Sequence, residues 1–181
     1  MNDEQLEQLV RRFGVDILRF CQITAGNRED GDELYQDTMV LLLEKRDHLD
    51  PQQNVKAYAV SAALKLWKGR TRKLARRLRL VPQESLEGLS EQGIQPSTDP
   101  GGSPEDVLMR KAQVLAVRQL VQKLPDAYRL PIILYYSAAL TVPAIAEVLK
   151  LPENTVKSRL HRARKIIRTQ LEEMEYEGSG I

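Results

Sequence analysis

The sequence predicts an all-α chain: two small helical domains joined by a flexible linker. Three observations carry this. Leu, Ala, Arg, Glu, Lys and Gln dominate, and alternating runs of Val, Ile and Thr are nearly absent, which favours helix over strand. Apolar residues recur at three- and four-residue spacing through most of the 181 residues. That period stops in VPQESLEGLSEQGIQPSTDPGGSPE, residues 81–105, where Gly, Pro, Ser and acids take over, as in a linker. The expected division is a first domain at 1–78, a linker at 79–104, a second domain at 105–175 and a tail at 176–181.

The first helix is Leu6 to Ala25, with Leu6, Leu9, Val10, Phe13, Ile17, Phe20 and Cys21 at helical spacing. Gly26-Asn27 closes it, and Asn27 or Asp30 can cap the next helix. Glu33 to Arg46 is that second helix, with Leu34, Thr38, Leu41 and Leu42 inward. It is acidic early and basic late, which suits the helix macrodipole and by itself asks for no partner. Val55 to Arg72 is a third, burying Val55, Ala59, Ala62, Ala63 and Leu66. Trp67 is expected to pack against the first helix, and Tyr58 is the better ring for stacking on a base. Ser103 caps a helix that Pro104 opens and that runs to about Leu124. Val107, Leu108, Val114, Leu115, Val117, Leu120 and Val121 are its expected buried face. After Pro125, Ala127 to Ser137 forms the next helix, with Leu130, Ile133 and Leu134 inside.

LTVPAIAEVLKLPENTVKSRLHRARKIIRTQL, residues 140–171, then reads as a helix, a tight turn and a second helix. Val142, Ile145, Ala146 and Leu149 share one face of the first. Pro152 cannot continue it. The second buries Val156, Leu160, Ala163, Ile167 and Leu171, and carries Lys157, Arg159, His161, Arg162, Arg164, Lys165 and Arg168 outside. This is the helix-turn-helix plan, whose second helix enters the DNA major groove. A basic helix also suits a membrane surface or a partner protein. Two details favour DNA. From Thr155 to Gln170 no acid provides the mixed-sign pairs of an idle surface helix, and Asn154 and Ser158 put small hydrogen-bonding groups where base edges are read.

Charge is arranged in blocks. Residues 1–50 hold six Lys/Arg against twelve Asp/Glu, and 51–83 hold nine bases and no acid. Residues 84–109 hold six acids and no base, and 110–181 hold twelve bases against seven acids. Two cationic blocks separated by an acidic one suggest a polyanion touched at two places. Cys21 is the single cysteine, so no internal disulfide is possible and a reducing cytoplasm fits. No apolar stretch approaches a membrane span, and the acidic MNDEQLEQ is unlike a signal peptide, so no direct membrane insertion is expected. His48 and His161 are isolated, and Asp30, Asp32 and Asp37 lack calcium-loop spacing. No metal, cofactor or catalytic residue is therefore expected.

Residues 120–171 resemble region 4 of the sigma-70 family of bacterial sigma factors, in its small extracytoplasmic-function group. Thr155-Val156-Lys157-Ser158-Arg159-Leu160 followed by Arg162-Ala163-Arg164 carries the likeness. Residues 13–73 resemble region 2, through GNREDGDELYQDTMVLLLEKRDHLDP. The resemblance implies a transcription initiation protein, not an enzyme, that directs core RNA polymerase to promoters. Asp32, Glu33, Gln36 and Asp37 would dock on the polymerase. Asn54, Lys56, Tyr58, Lys65, Lys68, Arg70, Arg72 and Lys73 would hold the melted minus-ten strand. Asn154, Thr155, Lys157, Ser158, Arg159, His161, Arg162 and Lys165 would read the minus-thirty-five duplex, with Arg159 and Arg162 projecting from the helix. The linker would thread toward the RNA exit channel. The partners that the resemblance implies are core RNA polymerase, promoter DNA and an anti-sigma factor.

The sequence departs from the family at Tyr58, usually tryptophan, and at Leu64-Lys65, usually arginine-asparagine. It also has Ala144 where glutamate is usual and Lys150 where glycine is, so the turn is strained if that position needs positive φ. The alternatives are a stand-alone helix-turn-helix regulator, a sigma-like protein without promoter melting, and a helical adaptor that binds only proteins. The two domains are also expected to be able to pack together in the free protein and hide the basic patches.

Overall fold

The computed structural model describes residues 3–50, 54–80 and 103–178, with side chains described over 4–50, 54–76 and 103–174. The linker reading of 81–102, the loop start at Pro51 and the end of the tail lie outside the described residues. Those described form seven α-helices and one 3₁₀ turn, with no strand among them: α1 (Asp3–Ala25), α2 (Arg28–Lys45), the turn Arg46–His48, α3 (Val55–Leu80), α4 (Pro104–Lys123), α5 (Asp126–Tyr136), α6 (Val142–Leu149) and α7 (Glu153–Gly178).

α1, α2 and α3 pack mutually, and α5, α6 and α7 form a second group that α4 joins. Ile17, Phe20, Cys21, Leu34, Leu42 and Val60 are fully enclosed in the first. Leu134, Ile145 and Val156 are enclosed in the second. Fully burying one such side chain is worth roughly 1.5–3 kcal/mol, so each group has a substantial core.

α2 begins at Arg28, earlier than the expected Glu33. The Asn27 side chain accepts from the Asp30 amide at 2.9 Å, and Glu29 and Asp30 lie in the first turn, where the helix dipole favours acids. That turn carries no apolar residue, so periodicity could not show it. Gly31 makes it possible. A Cβ there would stand 2.4 Å from the Gln22 Cα of α1, so the two backbones meet at this residue. α3 continues to Leu80, past the expected Arg72, because RTRKLARRLRL is made mostly of good helix formers and contains no breaker.

α4 corrects the expected buried face. Ser103 caps it by accepting from the Asp106 amide, and Leu120 and Val121 are buried. Leu108, Val114, Leu115 and Val117 are exposed, Leu108 by 70%, and Val107 is half-buried. Only the C-terminal end of α4 reaches the core, and the helical period gives the direction of a face without saying whether anything covers it.

α6 is capped by the Thr141 hydroxyl, which accepts from the Ala144 amide. It ends in a Schellman turn: the Leu151 amide donates to the Ala146 carbonyl at 2.9 Å and the Lys150 amide to Glu147 at 3.3 Å. Lys150 takes φ 54°, ψ 50°, the left-handed conformation where glycine is usual. A side chain there costs about 1–2 kcal/mol, and glycine's extra chain entropy returns part of that. Lys150→Gly is expected to stabilise the protein by about 1 kcal/mol, or about 2–4 °C in melting temperature. A thermal melt checks this, and an unchanged or lower midpoint would refute strain at the turn.

The two helix groups touch. The Gln122 side-chain amide of α4 donates to the Ile23 carbonyl of α1 at 2.7 Å. α3 packs on α6, and α1 on α5. The basic patches stay largely open all the same. Lys65, Lys68, Arg72 and Lys73 on α3 and Lys157, His161, Arg162 and Lys165 on α7 are exposed. Lys56 is buried, and its ammonium reaches the Ala139 carbonyl of the other group at 3.5 Å.

Candidate nucleic-acid interface

The acidic face of α2 arises from spacing: residues 32, 33, 36 and 37 lie on one side of a helix, opposite buried Leu34, Thr38 and Leu42. Each acid there is engaged. Asp32 accepts from the Gln22 side chain at 2.7 Å and lies 3.6 Å from the Arg28 guanidinium. Glu33 and Asp37 both face Arg70 of α3, at 3.2 and 2.5 Å. Burial alone would lower the proton affinity of Arg70. The hydrogen bond and charge of Asp37, followed by Glu33, outweigh it and hold the guanidinium above its usual value. Gln36 is exposed.

α3 lies beside this face. Its groove against α2 has a volume of about 480 Å³ and is lined by Tyr58, Ser61, Lys65, Leu66, Gly69, Arg70 and Lys73 from α3, and by Asp37, Leu41 and Lys45 from α2. The structure therefore brings four of the eight expected strand-holding residues together: Tyr58, Lys65, Arg70 and Lys73. Lys68 and Arg72 are exposed outside the groove. Asn54 is engaged as a cap, accepting from the Ala57 amide at 3.0 Å. Lys56 is 8% exposed, donates to Asp16 at 2.6 Å and sits 5.1 Å from the centre of the Phe13 ring. It also reaches the Ala139 carbonyl at 3.5 Å. It points into the fold and is not offered to a strand in this conformation. Leu64 is a core residue at 6% exposure.

α7 presents the second cationic surface. Val156, Leu160 and Ala163 seat it on α5 and α6. Asn154, Lys157, Ser158, His161, Arg162 and Lys165 are exposed, with Thr155 half-buried. Arg159, expected to project, is half-buried, and the Arg162 guanidinium lies 5.9 Å from the Tyr128 ring centre. Arg164 stacks on Tyr135 and Tyr136 and donates to the Tyr136 hydroxyl at 3.0 Å, which braces α7 on α5. Sequence reasoning missed the Gln22–Asp32 and Arg70 pairings, which join residues 10 to 37 positions apart, and no local pattern could have found them.

Among the described residues no group of three or more His, Cys, Asp and Glu could hold a metal ion. None of their helices is long and apolar enough to cross a membrane. Cys21 is wholly enclosed, and burial pushes its thiol up to about 12, with a Thr38 hydrogen bond offsetting part of the rise.

The family model described as Sigma-70 region 2 matches residues 9–77, and the model described as Sigma-70, region 4 matches residues 115–167. The ECF RNA polymerase sigma factor SigW of Bacillus subtilis is 30% identical over 159 residues, 87% of this chain and 84% of that protein. The chain belongs to the sigma-70 family. It falls in the extracytoplasmic-function group. The ECF RNA polymerase sigma factor SigM of Mycobacterium tuberculosis is 27% identical over 161 residues, 87% of this chain and 72% of that protein. Two solved structures share the fold of this sigma factor. One is the sigma factor RpoE bound to the anti-sigma factor NepR from Bartonella quintana, with TM-score 0.69 and 21% identity over 92% of this chain and 96% of that one. The other is CnrH bound to the cytosolic domain of CnrY, with TM-score 0.65 and 23% identity over 94% and 90%. Sigma factors are known as non-catalytic transcription initiation factors.

Proposed function

We propose that this sigma factor binds core RNA polymerase through the Asp32, Glu33, Gln36 and Asp37 face of α2 and holds the melted minus-ten strand along α3. α7 reads the minus-thirty-five duplex. As an alternative sigma factor it directs the polymerase to a set of promoters. The polymerase does the chemistry, and the sigma factor has no catalytic role of its own. One observation carries the reading: an acid-faced helix packs directly beside a cation-faced one, and the same chain supplies a recognition helix with no acid between Thr155 and Gln170. In this reading 1–78 and 105–175 act as separate domains tethered by 79–104, so each contact with polymerase raises the effective concentration of the others. The protein works in the cytoplasm. An anti-sigma factor is a further partner, by analogy with the two complexes that share the fold.

The test is binding to bacterial core polymerase, followed by anisotropy. The fluorophore belongs on an added tag, since a thiol enclosed and protonated like that of Cys21 does not label in the folded state. Saturable sub-micromolar binding is expected. Absence of binding by folded protein would favour the stand-alone regulator.

On α7, a bidentate arginine–guanine contact carries about 1–3 kcal/mol of discrimination. Arg159→Ala is expected to lower preference for the cognate minus-thirty-five element by roughly that amount without weakening polymerase binding. Transcription from paired templates in vitro measures it, and an unchanged preference would sink the assignment.

A further inference from the structure

Arg70 stands where the two proposed surfaces meet. It belongs to α3, among the cations proposed to hold the promoter strand. Its guanidinium nevertheless faces the two carboxylates proposed to dock on the polymerase, with Nη1 3.2 Å from Glu33 and Nη2 2.5 Å from Asp37. The partners lie on a different helix, so these are not pairs along one helix surface. Both acids remain accessible, with side chains 63% and 49% exposed, while Arg70 is 28% exposed. One cation between two anions has no charge to spare for a phosphate, while Lys45, Lys65 and Lys73 line the rest of the groove. Exposed ion pairs are weakly held, so cations of a partner can take over the two acids.

We propose that Glu33 and Asp37 keep Arg70 occupied in the free protein, and that polymerase docking on these acids releases it to a phosphate of the single strand. Polymerase binding and strand binding are then coupled through one guanidinium. This rests on the proposed roles of α2 and α3. The linkage is reciprocal: a strand that captures Arg70 frees the acids for the polymerase.

The test uses the full chain and a fluorescent oligothymidylate, since a phosphate contact needs no base sequence. Glu33→Gln/Asp37→Asn is expected to bind it about five-fold tighter than the parent, with a salt slope steeper by about 0.7, the value of one added contact on a single strand. Adding Arg70→Gln to that pair is expected to remove both changes. A gain that survives Arg70→Gln would assign the effect to diffuse charge and overturn the proposal, as would no gain at all. Circular dichroism checks folding, and Asp37→Asn alone carries the same comparison should the double variant unfold. In the second arm, saturating oligothymidylate is expected to tighten binding of the parent to core polymerase, and Arg70→Gln to abolish that rise. A rise that persists, or none in the parent, overturns the coupling. Failure of the parent to bind polymerase at all would instead remove the reading of α2, a result separate from the oligonucleotide comparison.

Discussion

Asp37→Arg is expected to abolish binding to core RNA polymerase. The substitution removes an acid from the middle of the proposed docking face and puts a cation in its place. Losing one member of a desolvated interfacial charge pair costs about 2–5 kcal/mol, and reversing the sign adds repulsion, so affinity should fall by at least about 100-fold. The structure adds a second effect. The new arginine would face Arg70, which now sits 2.5 Å from the Asp37 carboxylate. The repelled side chains can swing into solvent, because residue 37 is exposed and the pair is near the surface. Helicity and melting temperature are therefore expected to change little, which separates lost docking from lost folding. Anisotropy of tagged protein against core polymerase, with circular dichroism alongside, checks both. Retained binding would move the docking surface off this part of α2.

Gly31→Ala has the second large effect, on stability first. The added Cβ would lie 2.4 Å from the Gln22 Cα and 2.9 Å from the Gln22 backbone nitrogen. Backbone cannot rotate away as a side-chain tip can, so α1 and α2 must separate. Overpacking of this kind costs about 1–3 kcal/mol, and a clash against backbone belongs at the upper end. At about 2–4 °C per kcal/mol, the midpoint should fall by roughly 6–12 °C. Function should change with it, because the same crossing aligns Gln22 with Asp32 and sets the acidic face beside Arg70. Polymerase affinity is expected to fall even below the melting transition. A thermal melt and the anisotropy titration measure the two effects, and an unshifted midpoint would mean that the helices part without strain.

The two proposals about α2 make different demands on Arg70. Asp37→Arg removes the docking acid and leaves Arg70 without its nearer partner, so polymerase binding should be lost while oligonucleotide binding rises. A protein merely weakened overall would lose both. The opposite movement of the two affinities marks a shared guanidinium.

Much of this protein was legible in the chain itself. Helical spacing located the cores: Leu34, Thr38 and Leu42 in α2, and Val156, Leu160 and Ala163 in α7, are buried as their spacing requires. Local chemistry offered Asn27 and Ser103 as caps, and each caps through its side chain, because a cap depends on residues three positions apart. The signature around Thr155 to Arg164 located the family for the same reason, since a turn and the first turns of a helix are written in consecutive residues. Tertiary structure decided what depends on distance across the fold. It left most of the α4 apolar face uncovered, turned Lys56 inward onto Asp16, made Gly31 the point of contact between α1 and α2, and set Arg70 between Glu33 and Asp37. Period, cap and composition act over one or two helical turns and can be read along the chain. The partner of a charge and the neighbour of a glycine are fixed by how helices cross, and that geometry belongs to no single stretch of sequence.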